Sequence, residues 1–302
     1  SKLFPGLAFC DFPNLVNIEA IDYSKLDAVF CCLPHGEAQK IVLNLPSHLK
    51  IVDLSADFRL NDPSAYSHWY NRPHIATELQ KESVYGLTEL KRKEIKSARL
   101  VANPGCYPTG PQLALVPLLS SNIIETDSII IDSKSGVSGA GRGLNESSLF
   151  SEVSEGTLPY GIASHRHIPE IEQGLSDASH KPVQISFTPH LIPMNRGILS
   201  TLYVKLTDGL EVSDIREKLA KFYANDQFVS ILPEGVVPST KAVKGTNNCF
   251  IGIFKDRISR RAIIVTAIDN LLKGASGQAL QNMNVMFGLP ESYGLNQLAL
   301  FP

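Results

Sequence analysis

One cysteine stands where a strand meets a helix. Cys106 lies in the segment ANPGCYPT (residues 102–109), after an apolar run that ends at Val101 and before a helical pattern that starts at Gln112. Unpaired N–H groups at a helix start and the helix dipole both favour an anion. They lower the pKa of a thiol, so the sequence predicts that Cys106 is a thiolate nucleophile whose attack creates an oxyanion held by the same N–H groups. A small buried cysteine near a turn is the alternative.

The first third of the chain alternates buried strands with helices. Continuous apolar runs at residues 28–33, 49–54 and 99–102 are typical of a parallel sheet covered on both faces. Ligands in such sheets bind beyond the carboxyl ends of the strands. A polar loop follows each run there, so three loops are expected to meet in one crevice: residues 34–36, 55–59 and 104–106.

The middle of the chain has a different pattern. One helix face, marked by Ile215, Leu219 and Phe222, lies among several strand-length runs. These runs cover residues 129–132, 183–188, 199–204, 249–254 and 261–266. The pattern predicts an α+β domain with a mostly antiparallel sheet.

A final helical pattern, from Leu272 to Met286, has small and weakly charged residues and is expected to pack back on the first domain. The sequence therefore predicts a two-domain α/β protein. A Rossmann-like parallel-sheet domain, incomplete at its N-terminus, takes residues 1–107 and 270–302, and the α+β domain takes residues 108–269.

Composition excludes several classes of protein. The 302 residues are 43% hydrophobic, which fits one large or two ordinary domains. With 28 basic and 30 acidic side chains and no basic tract, nucleic acid is not an expected partner. The longest apolar runs are strand-length, so no membrane span is predicted. Five scattered cysteines indicate free thiols in a reducing compartment, and no metal site is predicted.

Four segments, in this order, resemble N-acetyl-gamma-glutamyl-phosphate reductases, and their wording is closest to plant members. They are residues 102–109 (ANPGCYPT), 133–143 (SKSGVSGAGRG), 165–170 (HRHIPE) and 273–284 (KGASGQALQNMN). The similarity runs from about Val29 to the C-terminus. It implies a semialdehyde-dehydrogenase-like fold, NADP as cofactor, a small acyl-phosphate substrate, and a homo-oligomer (dimer or tetramer) formed through the sheet of the second domain.

The resemblance also implies a reaction. The family reduces N-acetyl-glutamyl 5-phosphate with NADPH to N-acetyl-glutamate 5-semialdehyde and phosphate, in the acetylated route to arginine. Cys106 matches the nucleophile, which forms a thioester. His165 and His167 match a segment in which one histidine is the acid/base group, and His167 is favoured. Two surface histidines on a loop are the alternative.

The substrate carries a carboxylate and a phosphate, which require cationic partners. Arg59 corresponds to an anion-binding arginine of the wider family, and a guanidinium can grip phosphate at two points. A salt bridge to Asp57 or Asp53 is the alternative. Arg166 and Arg196 are candidates for the carboxylate.

The remaining expected site residues belong to the substrate pocket and the cofactor. Tyr85 and Asn103 are expected to contact the substrate. The glycine-rich loop after residue 132 offers bare amides to a nicotinamide or a phosphate, unless it is a flexible turn without a ligand. The expected cofactor contacts are Pro34, His35, Gly36, Ser135, Gly136, Gly139, Asn270 and Lys273.

One feature of the family pattern is not found. Family members open with a strand and a Gly-x-x-Gly-x-x-Gly turn for the pyrophosphate, whereas the first glycine here, Gly6 in residues 3–7, resembles a later segment. A fragment or a natural truncation explains this. The sheet is then expected to lack a central strand and to expose apolar edges, and NADP to bind more weakly than in an intact member. No targeting segment precedes the fold; the resemblance implies the plastid stroma for a plant protein and otherwise the cytoplasm.

Three alternative functions remain. An aspartate-semialdehyde dehydrogenase shares the cysteine chemistry, but the HRHIPE and KGASGQ segments argue against it. A truncated, non-catalytic, oligomer-forming relative is favoured by the missing glycine turn. A thiol hydrolase would leave the glycine loop and the final helix without a purpose.

Overall fold

Two sheets form the framework of the protein. The structure, a computed structural model, describes residues 5–7 and 9–300. Residues 1–4, 8 and 301–302 lie outside this description, and with them part of the segment around Gly6 and the end of the predicted first domain. Within the described residues a four-stranded parallel sheet is followed by a seven-stranded mixed sheet. The predicted fold class is confirmed.

The parallel sheet has the strand order β1–β2–β4–β3. Its strands are β1 (Ala28–Cys31), β2 (Lys50–Asp53), β3 (Val84–Tyr85) and β4 (Leu100–Ala102). The surrounding helices are α1 (Glu37–Val42), α2 (Pro63–Tyr70), α3 (Thr77–Glu82) and α4 (Thr88–Ser97). Ile51, Val52 and Val101 are fully buried, because helices cover both faces of these central strands.

The seven-stranded sheet has the order β6–β7–β5–β8–β11–β10–β9. Its strands are β5 (Ile129–Gly136), β6 (Leu158–Pro159), β7 (Ile185–Ile192), β8 (Ile198–Lys205), β9 (Val229–Ile231), β10 (Cys249–Lys255) and β11 (Arg261–Ile268). The β5–β7 and β9–β10 contacts are parallel, and the others are antiparallel. Along β8, buried and half-buried residues alternate, so one face is packed and the other is partly open.

Four helices accompany this sheet: α5 (Cys106–Leu119), α6 (Phe150–Val153), α7 (Ile168–Ser179) and α8 (Val212–Phe222). The central one, α5, begins at Cys106, six residues before its apolar pattern. A Cβ on Gly110 would come within 2.6 Å of Thr266 Oγ1, so α5 lies very close to β11. This close packing fixes the start of α5, and Cys106 with it.

The C-terminal part returns to the first sheet. After β11 comes a π-helical turn (Leu272–Ser276), and then α9 (Gly277–Met286). The predicted single helix is therefore two pieces. Met283 and Met286 of α9 pack in one apolar cluster with Val52 and Ile95, which confirms the expected packing on the first domain.

Candidate active site

The three loops predicted to converge do meet beyond β1, β2 and β4. His35 Nδ1 accepts a hydrogen bond from the Ala56 N–H (3.1 Å), which joins the first loop to the second. Arg59 Nε donates to the Asn103 carbonyl (2.8 Å), which joins the second loop to the third. Cys106 stands at the end of that third loop, so its side chain lies where parallel sheets bind ligands.

Cys106 is the first residue of α5 and is partly exposed to the crevice. Burial has the largest effect on its thiol and raises the pKa to about 11. Arg59 and the backbone N–H groups of Tyr107 and Cys106 lower the pKa, in the direction predicted for a helix start. The expectation of a thiolate at neutral pH in the free chain is thus wrong, and Cys106 needs a base to take its proton.

His167 is the residue before α7 and lies against the turn that carries Cys106. A Cβ on Gly105 would come within 2.5 Å of His167 Nε2, so this nitrogen is next to the nucleophile's own neighbour in the chain. Burial, and then the charges of His165 and Arg59, lower the pKa of His167 well below its usual value. A neutral imidazole can accept the proton of a thiol.

His165 supports this arrangement. Its ring centroid is 4.8 Å from that of His167, and its Nδ1 accepts a hydrogen bond from the His167 N–H (3.1 Å). Burial and the nearby Arg166 lower the pKa of His165 to about 4. Both histidines therefore carry no charge at neutral pH.

No role was predicted for Glu170, which holds the nucleophile turn. Its buried carboxylate accepts hydrogen bonds from Arg59 Nη1 (3.2 Å), Tyr85 OH (2.7 Å) and the Gly105 N–H (2.7 Å). A buried carboxylate is tolerated only with such partners, so one side chain fixes three elements at once. The signal for it was its place in the HRHIPE segment, two residues after the turn that ends in His167 and Ile168.

Arg59 is buried and largely engaged by the protein. Besides Asn103 and Glu170, it donates through Nη2 to the Leu54 carbonyl (3.1 Å). The salt bridge therefore exists, but its partner is Glu170 and neither Asp57 nor Asp53. A direct grip on phosphate stays a prediction, and it would use the two N–H groups that these bonds leave.

Two cavities meet at Cys106. The turn-side cavity has a volume of about 230 Å³ and is lined by Asn103, Ser138, Asn270, Leu271, Gly274 and Ala275. The histidine-side cavity has a volume of about 450 Å³ and is lined by Tyr70, Asn145, Ser147, Tyr160, His165 and Arg166. Both are also lined by His35, Cys106, Gly139 and His167. The nucleophile and the base are thus accessible from both cavities.

Arg166 gives the histidine-side cavity an exposed positive charge. Its guanidinium carbon is 5.5 Å from the centroid of the Tyr70 ring, an arrangement that orients a cation without neutralising it. Among the described residues no carboxylate forms a salt bridge with Arg166, so it can bind an anionic group of a ligand. Tyr70 comes from α2 and had not been predicted as a site residue.

Tyr85 is used for support and not for lining. Its hydroxyl donates to Glu170 and accepts a hydrogen bond from Gln112 Nε2 (2.9 Å). In the part of the chain that the structure describes, Tyr85 lines neither cavity. The expectation that it lines the substrate pocket is wrong, because its hydroxyl lies on the far side of Glu170.

Asn103 and Arg196 both contact the region of the π-helical turn. Asn103 Nδ2 donates to the Ala275 carbonyl (3.0 Å), and Asn103 also lines the turn-side cavity. Arg196 Nη2 donates to Asp269 (3.0 Å), the residue that follows β11 by one position. Arg196 lines neither described cavity, so its assignment to the substrate carboxylate has no support in the geometry.

The glycine-rich loop contributes through its later residues. Gly139 lines both cavities, whereas Ser135 and Gly136 are the end of β5. The Gly136 N–H donates to the Gly197 carbonyl (2.9 Å), so it is not available to a ligand. The expected cofactor contacts of Ser135 and Gly136 are corrected for this reason.

Asn270 and Lys273 differ in the same way. Asn270 lines the turn-side cavity, and its Nδ2 donates to Ser138 Oγ (2.9 Å). Lys273 is fully buried, and its Nζ donates to Glu89 Oε1 (2.7 Å) and Gln281 Oε1 (2.9 Å). The expectation that Lys273 contacts a cofactor is wrong, since its ammonium points away from the crevice into an ion pair.

The segment Pro34–His35–Gly36 is divided as well. His35 lines both cavities, and burial followed by Arg166 lowers its pKa to about 4. The Gly36 N–H donates to both carboxylate oxygens of Asp57 (2.8 Å each), so this amide already holds an anion of the protein itself. Pro34 is exposed and lines neither cavity among the described residues, so of the three only His35 is placed to touch a ligand.

Two searches complete the description of the described residues. No helix there is both long enough and apolar enough to cross a membrane. No group of three or more histidine, cysteine or carboxylate side chains there could hold a metal ion.

Comparison with known proteins agrees with this geometry. Residues 11–98 match the family model of the semialdehyde dehydrogenase NAD-binding domain, and residues 106–270 match that of the semialdehyde dehydrogenase dimerisation domain. The probable chloroplastic N-acetyl-gamma-glutamyl-phosphate reductase of Arabidopsis thaliana is 58% identical over all of this chain and 75% of its own length. The N-acetyl-gamma-glutamyl-phosphate reductase of Rhodospirillum rubrum is 56% identical over all of this chain and 87% of its own length.

A solved structure supports the fold. Aspartate semialdehyde dehydrogenase II from Vibrio cholerae superimposes with a TM-score of 0.69, covering 90% of this chain and 83% of that one, at 14% sequence identity. At this identity the likeness concerns the fold alone. The aspartate-semialdehyde dehydrogenase alternative is therefore not favoured over the reading that the 58% and 56% identical relatives support.

Proposed function

The chain belongs to the N-acetyl-gamma-glutamyl-phosphate reductase family, and on this premise we propose that it reduces N-acetyl-glutamyl 5-phosphate with NADPH to N-acetyl-glutamate 5-semialdehyde and phosphate, a step of arginine biosynthesis. The observation that carries the proposal is a thiol at the start of α5 with a neutral imidazole beside its turn. Cys106 and His167 are the reacting pair. The non-catalytic alternative is not favoured, because a scaffold would not need this pair.

The first half-reaction uses the residues of the protein alone. His167 takes the proton of Cys106 Sγ, which is required because the thiol has a pKa of about 11. The thiolate attacks the carbonyl carbon, a C–S bond forms, the C–O bond to phosphate breaks and phosphate leaves. The N–H groups of Cys106 and Tyr107 stabilise negative charge at this point. The product is a thioester on Cys106.

The second half-reaction needs a hydride donor. NADPH, when bound, supplies the hydride that reduces the thioester carbonyl. The turn-side cavity fits a flat ring, because Gly139 and Gly274 carry no side chains into it and Asn270 offers an amide at its edge. After reduction the C–S bond breaks, the aldehyde leaves, and His167 returns a proton to the sulfur.

The histidine-side cavity fits the substrate. Arg166 supplies the positive charge for its carboxylate, and the polar side chains of Asn145 and Ser147 line the same cavity for its acetamido group. Arg59, through its remaining N–H groups, is assigned to the phosphate. This division gives the acyl phosphate and the hydride donor separate cavities that share Cys106.

Two further assignments follow the family. We assign a homo-oligomer formed through the partly open face of the seven-stranded sheet, in keeping with the dimerisation-domain match. Because plant relatives are chloroplastic, we place a plant protein in the plastid stroma and any other in the cytoplasm.

The decisive experiment separates the two half-reactions. Mixing the protein with N-acetyl-glutamyl 5-phosphate and no NADPH is expected to release one phosphate per site, and added NADPH then releases the aldehyde. Cys106→Ser is expected to abolish this burst and to lower turnover by about 10⁴-fold or more. Cys32→Ser, which removes an exposed thiol, is the matched control and should behave as wild type. A burst in C106S would refute the proposal, and kcat/KM with NADPH and with NADH decides the cofactor.

A further inference from the structure

The ion pair between Lys273 and Glu89 has no part in the mechanism above, yet it is one residue away from the wall of the turn-side cavity. Their side chains are 0% and 1% exposed. A buried ion pair is a weak source of stability, because desolvation offsets the attraction between the charges. Its retention in such a place therefore calls for another role, and fixing a geometry is one that such pairs can have.

The pair joins two parts of the molecule. Glu89 is in the first turn of α4, beside the parallel sheet, and Lys273 is in the π-helical turn that follows β11. Gln281 of α9 binds both partners, since its Nε2 donates to Glu89 Oε1 (2.9 Å) and its Oε1 accepts from Lys273. Burial raises the pKa of the Glu89 carboxyl, but Lys273 and Gln281 together bring it below its usual value, so Glu89 stays ionised.

The other face of the same turn touches the nucleophile. A Cβ on Gly274 would lie 2.9 Å from Cys106 Cβ, so the backbone of the turn is in contact with this residue. The Ala275 carbonyl accepts a hydrogen bond from Asn103 Nδ2 (3.0 Å). The backbone at Gly274 and Ala275 thus lies between Cys106 and the ion pair. A π-helical turn is a local departure from the α-helix that is frequent at functional sites.

We propose that the Lys273–Glu89 pair positions the wall of the turn-side cavity against Cys106, and that it acts in the reduction of the thioester and not in its formation. This role rests on the proposed function, because it places the hydride donor in that cavity. Acylation uses His167 and the N–H groups at the start of α5, which the pair does not touch. Lys273 and Glu89 are accordingly positioning residues.

The double variant Lys273→Met/Glu89→Leu tests the proposal, because it removes both charges together and leaves no unpaired one buried. We expect the phosphate burst without NADPH to keep an amplitude of one per site and a rate within about twofold of wild type. We expect kcat for the full reaction to fall by about 10- to 100-fold, since a misplacement of about 1 Å costs up to 10²-fold. Glu89→Gln, which keeps the shape of the side chain, provides the same test in milder form if the double variant does not fold.

Arg92→Met is the matched control. Arg92 lies on the same helix, α4, but its buried and half-buried partners are Asp226 and Glu291, away from the π-helical turn. It should leave both half-reactions unchanged. The proposal is overturned if K273M/E89L turns over like wild type, or if its burst and its kcat fall together. A wild-type protein without any burst would instead overturn the proposed function, so the two failures are distinguishable.

Discussion

Two ion pairs hold the surroundings of Cys106, and they differ in where their charge is felt. Arg59 and Glu170 line or support the crevice, and Arg59 acts against burial to lower the pKa of Cys106. Lys273 has this effect on Cys249, whose pKa burial raises to about 12. The first pair therefore sets both the position and the electrostatics of the reacting atoms, while the second sets position alone.

The two carboxylates differ as well. Glu170 accepts hydrogen bonds with both oxygens, from three different elements. Glu89 Oε2 has no hydrogen-bond partner among the described residues, although it is buried. An unsatisfied buried oxygen lowers stability by about 1–3 kcal/mol. The Lys273–Glu89 pair is thus poorly explained as a device for stability, which sharpens the contrast with Glu170.

The largest expected effect tests the electrostatics of the Arg59 side. His167→Gln removes the base and should slow the phosphate burst by about 10²- to 10⁴-fold. The remaining rate should rise about tenfold per pH unit between pH 7 and 9.5, because the thiol has a pKa of about 11 and must ionise unaided. The wild-type rate should be flat over this range, because His167, with a pKa well below its usual value, is already neutral.

The control for this profile is His68→Gln, an exposed histidine on α2, which should leave both rate and profile unchanged. A flat profile in H167Q would show that another group takes the proton. His165, whose ring lies 4.8 Å from that of His167, would then be the first candidate.

The second expected effect breaks the first pair. Glu170→Gln leaves the buried Arg59 guanidinium without its counter-charge, so the free energy of unfolding should fall by about 3–5 kcal/mol. The phosphate burst should slow too, because the Gly105 N–H and Arg59 lose the carboxylate that positions them. Denaturant unfolding and burst kinetics measure the two effects.

Asp177→Asn makes the same chemical change at an exposed position of α7 and should have little effect on either quantity. Loss of stability in E170Q with a normal burst would reduce Glu170 to a structural role. In that case both ion pairs would act through position, and the contrast between them would disappear.

Some of this arrangement was accessible from the sequence. The cores of β1, β2 and β4 were placed within two residues, because strands buried on both faces read as continuous apolar runs. Convergence of the three loops followed from the shared direction of parallel strands. The start of α5 was placed late, because Pro108, Gly110 and Pro111 hide the helical pattern of its first two turns.

What the sequence did not provide depends on contacts between distant residues. Lys273 stands in a motif next to Gly274, and nothing in their spacing says that one faces α4 while the other touches Cys106. Glu170 has the same problem, since its three donors come from residues 59, 85 and 105. The pKa of Cys106 was misjudged for a related reason: the helix start is local, whereas burial is a property of the whole fold.

The smallest expected effect separates the two sides by pH. Burial, with Arg166, holds the folded-state pKa of both His35 and His165 at about 4, against about 6.5 in an unfolded chain. Between these values the unfolded chain binds more protons, so stability should fall as the pH drops below about 6.5. Each ring is partly exposed, so we expect a loss of about 1 kcal/mol per histidine between pH 7 and 5 after solvent screening.

The Lys273–Glu89 side should not contribute in that window. The pKa of Glu89 is lowered from 4.5, so its stabilising charge is present above that value and is lost only at lower pH. Urea unfolding of wild type and His165→Gln at pH 7 and 5 measures the difference, with H68Q as the control. H165Q should lose about 1 kcal/mol less than wild type on acidification. An equal loss in the two proteins would mean that acid acts elsewhere, and the Arg59 side would then not be the part of the molecule whose uncharged imidazoles make it sensitive to protons.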